Sequence, residues 1–132
     1  MTTGRVYRPL EGKIALIVED NYLIAMDLED ALVEFGASAV QTAHTNEDAL
    51  AMIGVGSPDV AILDFNLGSS TAASVAEELI RRNIPVLLAT GDNEFAAAPE
   101  ALANVPILAK PYNRDMLAEA IERLLKGRAP PR

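Results

Sequence analysis

Short apolar runs alternate along this chain with stretches whose apolar residues recur every three or four positions. Lys13–Glu19 and Pro58–Asp64 are the clearest runs, apolar inside and closing on carboxylates: Glu19 and Asp20 after the first, Asp64 at the end of the second. Runs of this kind predict strands buried on both faces, as in the middle of a parallel sheet. Ser38–Ala43 contains Ser, Gln and Thr and predicts a weaker strand nearer an edge. Val86–Thr90 and Val105–Ala109 predict two more strands, ending at Thr90-Gly91-Asp92 and at Lys110-Pro111.

Helical spacing fills the intervals. Over Asn21–Phe35, Ile24, Leu28, Ala31 and Phe35 share one face, and Gly36 stands at the usual stop position. Asn46 is placed to cap a helix reaching about Ile53, with Gly54 and Gly56 beyond. Ser74 with Glu77 has the spacing of a capping box, followed by an apolar face of Val75, Ala76, Leu79 and Ile80 that ends by Asn83. Phe95–Ala103 is rich in Ala but interrupted by Pro99, so it predicts one or two helical turns beginning at that proline. Asn113 caps a last helix with Leu117, Ala120, Ile121 and Leu124 inside. Met1–Gly12 reads as a loosely ordered lead-in, residues 13–126 as one domain, and residues 127–132 as a tail.

The alternation is (βα)₅. Parallel pairing with right-handed crossovers and helices on both faces follows from that spacing. The expected architecture is a flavodoxin-like α/β fold with sheet order 2-1-3-4-5.

Composition narrows the function. The 132 residues carry a net charge of −8, which opposes nucleic acid as a partner because phosphate binding needs a basic face. There is no cysteine and a single histidine, His44, so thiol chemistry, thiolate zinc and His-rich metal sites are excluded. No apolar run approaches the ~20 residues that span a bilayer. Met1–Leu10 lacks the apolar core of a secretory signal, so cytoplasmic residence is the expectation.

Ligands in open α/β sheets bind above the carboxyl ends of the strands. In this order, Glu19 and Asp20, Asp64, Thr90 and Lys110 all arrive at that rim. Unit charges about 4 Å apart interact by roughly 4 kcal/mol at an effective dielectric near 20, so gathered carboxylates call for a cation. An oxygen-only donor set suits Mg²⁺ or Mn²⁺. Asp20 and Asp64 are the expected direct ligands, with Glu19 acting through water and Asn66 offering its backbone carbonyl. Asp64, ending the central strand, is also the candidate nucleophile for an aspartyl-phosphate. Lys110, Thr90 and nearby backbone N–H groups are placed to meet phosphoryl oxygens. Singly, each residue has a plainer reading: Lys110 as a surface lysine before a turn, Thr90 as a turn former. Their convergence is the argument. His44 reads as a loop residue, not as a phosphotransfer site.

Val18-Glu19-Asp20, Asp64, Thr90-Gly91 and Lys110-Pro111 together resemble the receiver domain of two-component response regulators, over about residues 13–126. The resemblance implies phosphotransfer onto Asp64 from a histidine kinase or phosphotransfer protein, with Mg²⁺ held at Glu19, Asp20 and Asp64. It implies that Thr90 and Lys110 bind the phosphoryl group and carry a conformational switch. The only chemistry it implies is self-phosphorylation and self-dephosphorylation, in a signalling protein and not a turnover enzyme. Since no output domain follows Lys126, a stand-alone regulator signalling through a downstream partner protein is expected. A phosphate sink or shuttle in a phosphorelay, and a receiver-shaped module that is never phosphorylated, are the alternatives.

One departure stands out. Many receivers carry an aromatic residue three positions before the lysine, whereas Ile107 stands here and Tyr112 follows the Lys-Pro. Pro85–Gly91, Asp64–Gly68 and the proline-containing stretch after the fourth strand are similar to the "FAT GUY" subgroup, which lacks that aromatic. Leu88 in place of its Phe and Asp92 in place of its Tyr depart from the subgroup pattern. Membership would imply an alphaproteobacterial regulator paired with kinases of the HWE or related types. An aspartyl phosphatase is the rival enzyme, but Asp64-Phe65-Asn66 lacks the second acid of an Asp-x-Asp pair and with it the general acid.

Overall fold

The computed structural model describes residues 8–67, 71–91, 102 and 104–127. Its strands are β1 (Ile14–Val18), β2 (Ala39–Ala43), β3 (Val60–Asp64), β4 (Val86–Thr90) and β5 (Ile107–Ala109). Its helices are α1 (Tyr22–Glu34), α2 (Asn46–Val55), α3 (Ala73–Arg81) and α4 (Arg114–Leu125). All strand pairs are parallel, in the order β2-β1-β3-β4-β5. The edge position expected for Ser38–Ala43 is the one β2 takes.

Side chains alternate across a strand, and that rule divides the core. Leu16 and Val18 of β1, Ala61 and Leu63 of β3 and Leu88 of β4 face α2 and α3, meeting Ala49, Ile53, Val75, Ala76 and Leu79. Ala15, Ile17, Val60, Ile62 and Leu87 face the other way, toward Leu28, Leu32, Leu117 and Ile121 of α1 and α4. The inner strands β1, β3 and β4 are thus apolar on both sides, whereas Gln41 and Thr42 interrupt β2 at the edge.

Several helix starts and buried faces lie elsewhere than the sequence predicts. The N-cap of α2 is Thr45, whose hydroxyl accepts the Asp48 N–H at 3.1 Å. Asn46 lies one residue inside and donates to the Thr71 carbonyl at 2.8 Å, tying α2 to the loop after β3. Ser74 caps nothing: α3 begins at Ala73, and the Thr71 hydroxyl takes the Ala73 N–H at 3.3 Å. Ile24 and Ile80, expected inside, are 44% and 39% exposed. The buried stripe of α1 begins only at Ala25, and that of α3 is Val75, Ala76 and Leu79. Val105 is buried, but β5 starts after Pro106, which has no N–H to give to a ladder. The turns expected over Phe95–Ala103 lie outside the described residues apart from Leu102, which is fully buried. Residues 128–132 of the expected tail are also outside them. Among the described residues, no helix is long and apolar enough to cross a membrane.

Of the expected lead-in, residues 8–12 lie within the described structure and pack on the domain. Leu10 is fully buried in the core on the α1 and α4 side. Its N–H donates to the Phe35 carbonyl at 2.9 Å, and the Gly12 N–H donates to the Gly36 carbonyl at 3.2 Å. Gly36 makes this approach possible. It has φ +102, and a Cβ there would stand 3.0 Å from both the Arg8 side chain and the Glu11 backbone. Leu10→Ala is expected to destabilise the fold by about 2–5 kcal/mol, as other buried Leu truncations do. Urea denaturation will measure it, and a loss below about 0.5 kcal/mol, the size of a surface substitution, would mean the segment is not docked.

Candidate functional site

Strand register assembles the site. Val18 pairs with Leu63, so Glu19 arrives level with Asp64. Asp64 pairs with Ala89, which puts Thr90 one step beyond it, and Thr90 pairs with Ala109, so Lys110 follows at the same rim. The Lys110 N–H donates to the Thr90 carbonyl at 2.8 Å, extending the ladder past β5. The peptide between Lys110 and Pro111 is cis.

Carboxylate oxygens of Glu19, Asp20 and Asp64 all lie within 4.8 Å of one another. Glu19 and Asp64 are buried, at 2% and 7% exposure, while Asp20 faces solvent. Lys110 Nζ sits 2.7 Å from Asp64 Oδ1. Thr90 is buried at the end of β4. Glu19 carries the marked electrostatic strain. Burial pushes its pKa up to about 7, the Asn21 N–H (3.1 Å from Oε2) pulls it down, the Asp64 charge raises it and the Lys110 charge lowers it. Near neutral pH the Glu19 carboxyl is therefore poised to take up or give up a proton.

The donors fit a hard divalent ion. They are all oxygens, two of the three are buried, and their spacing lets one ion touch more than one of them. Asp20, on the solvent side, leaves the site open to a ligand that brings its own oxygens. Asn66 is exposed just past β3 and forms an isolated antiparallel bridge with Thr71, so the loop carrying its carbonyl is tied at both ends.

Sequence reasoning passed over several neighbours. His44 lies directly behind the acids, its Nδ1 at 2.9 Å from the Glu19 carbonyl and its ring 4.0 Å from that of Tyr22. The signal was available: His44 directly follows β2, and β2 pairs with β1, which delivers Glu19. Tyr112 is partly buried against the α1 and α4 side of the core. Burial, with the charges of Glu19, Asp64 and Asp27, pushes its phenol up to about 12. Ile107 pairs with Leu88, so the position three before the lysine is filled by a partly buried aliphatic side chain.

Known proteins are similar to this chain in sequence and fold. The model of the response regulator receiver domain matches residues 15–122. The positive alginate biosynthesis regulatory protein of Pseudomonas aeruginosa is 30% identical over 112 residues, which is 82% of this chain and 45% of that protein. SdrG from Sphingomonas melonis Fr1 is 40% identical with a TM-score of 0.72, over 89% of this chain and 98% of that one. PhyR from Bartonella quintana, an anti-anti-sigma factor, is 28% identical with a TM-score of 0.72, over 88% of this chain and 48% of that one. The chain spans about half the length of the curated relatives it matches.

Proposed function

This chain belongs to the response regulator receiver domain family, and on that premise we propose that Asp64 accepts a phosphoryl group from a histidine kinase or phosphotransfer protein. The phosphorylated form then signals to a partner protein through a changed surface. The observation that carries this reading is the contact of Lys110 Nζ with Asp64 Oδ1 at 2.7 Å, beside two further carboxylates within 4.8 Å. One carboxylate is held against a fixed ammonium, on the rim where a phosphoryl donor can reach it.

Asp20 and Asp64 would hold Mg²⁺ or Mn²⁺ directly, with Glu19 through water and Asn66 through its carbonyl. The ion supplies charge neutralisation to the phosphoryl oxygens when bound. In the transfer, an Asp64 oxygen forms a bond to phosphorus while the bond from phosphorus to the donor nitrogen breaks. The electron pair leaves with the donor imidazole, which then takes up a proton. Lys110 stays at the rim and meets the charge that develops on the phosphoryl oxygens. Thr90, at the end of β4, donates its hydroxyl to one of them. With Ile107 where an aromatic switch residue would stand, the shift of Thr90 and Lys110 has to be relayed through the β4–β5 edge by packing alone.

Acetyl phosphate with Mg²⁺ should add a single acid-labile phosphoryl group, measured as intact mass. Borohydride reduction converts an acyl phosphate to the alcohol, and peptide mapping should find homoserine at position 64. A modification elsewhere, or none, overturns the proposal. Sustained turnover of added phosphoesters would favour a hydrolase instead.

A further inference from the structure

The proposed cation site has a support behind it that no part of the phosphotransfer reading uses. The parallel ladder between β1 and β2 runs one rung past Val18, where the Glu19 N–H donates to the Ala43 carbonyl at 3.0 Å. The chain then leaves the sheet, and Thr45 becomes the N-cap of α2. The Glu19 carbonyl is met by a side chain: His44 Nδ1 lies 2.9 Å from it, and a carbonyl only accepts, so Nδ1–H is the donor. That carbonyl belongs to the peptide joining Glu19 to Asp20. Its plane sets the ψ of the first acid and the φ of the second, so one hydrogen bond governs how both carboxylates are presented.

The far side of the turn is held as well. The Glu19 carboxylate accepts the Asn21 N–H at 3.1 Å, and Asn21 Oδ1 caps α1 by accepting from Leu23 and Ile24 at 2.9 and 3.0 Å. Tyr22, the first residue of α1, lays its ring 4.0 Å from the His44 ring at 46°. Tyr22 is 67% exposed, so this contact is not a consequence of core packing. It closes a loop of contacts from Glu19 through His44 and Tyr22 back to the helix start.

We propose that His44, backed by Tyr22, is a positioning residue that fixes the Glu19–Asp20 peptide in the orientation a divalent cation requires. This rests on the cation reading given above. Donation through Nδ1 requires only that this nitrogen carry a hydrogen. Partners that orient metal ligands typically change metal affinity about tenfold or more when lost.

The test compares wild type, His44→Ala and His44→Asn by calorimetric Mg²⁺ titration, with melting curves showing that each is folded at the titration temperature. Asn places an amide N–H where Nδ1–H stands. His44→Ala should bind Mg²⁺ about tenfold more weakly, and His44→Asn should recover most of the loss. Without metal, the amides of Asp20 and Asn21 should exchange hydrogen faster in His44→Ala than in the other two. Wild-type affinity in His44→Ala overturns this proposal alone, as does His44→Asn binding as weakly as His44→Ala. A wild-type protein that binds no Mg²⁺ overturns the cation reading and this proposal with it.

Discussion

Asp64→Asn will take up no phosphoryl group from acetyl phosphate, and Lys110→Ala will take it up about a hundredfold more slowly. The two losses have different causes. Asparagine keeps the size of the side chain, but its amide oxygen lacks the negative charge that attacks phosphorus. Removing Lys110 leaves the nucleophile intact and strips the ammonium, 2.7 Å away, that meets charge developing in the transition state. The same change leaves Asp64, 7% exposed, without its close cation. Breaking a buried ion pair from one side costs about 3–5 kcal/mol, and since the Lys110 side chain is 32% exposed the lower end or less is expected. Labelling time courses measured by intact mass, with a urea melt of each variant, separate slow chemistry from a damaged fold. Labelling of Asp64→Asn at the wild-type rate would place the acceptor elsewhere.

The second large effect is on stability. A carboxyl whose pKa is higher in the native than in the unfolded state holds its proton more tightly when folded. Glu19 moves from 4.5 to about 7. Its contribution is therefore complete below about 4.5 and is lost as the pH rises to 7 and beyond. With chelator present, the melting temperature should fall between about pH 5 and 8, by an amount equivalent to at most about 3 kcal/mol. Glu19→Gln should flatten that slope, because the amide carries no proton to lose. Millimolar Mg²⁺ should restore stability at pH 8 in the wild type and do little at pH 5, where the proton on Glu19 already relieves the repulsion among the acids. A melting temperature that ignores both pH and Mg²⁺ would show that the acids do not share one electrostatic pocket.

Much of this was legible in the amino acids, for a physical reason. A strand buried on both faces must be apolar throughout, so Ile14–Val18, Val60–Asp64 and Val86–Thr90 announce themselves, and carboxylates that end such runs are conspicuous. Once the strands are parallel and ordered, their ends converge without further information. Sequence did not reveal contacts made by side chains across chain segments. Asn46 looked like a cap because Asn caps helices, but Thr45 is equally suited and only the entry angle of the chain decides. Ile24 fits the helical period, yet the first turn of α1 leaves it largely outside the packed stripe. Nothing in a lone loop histidine such as His44 points to the carbonyl of a residue 25 positions earlier. Leu10 was lost in a polar stretch, where a single apolar residue has no period to betray it.

Leu10 also bears on how the protein can be recombined. The family match begins at residue 15, downstream of a side chain that completes the core beneath α1. A chimera that grafts this receiver onto a foreign effector at the matched boundary would discard that side chain and open a hole at the base of the sheet. The junction belongs upstream of Arg8, so that the short segment ahead of β1 travels with the rest.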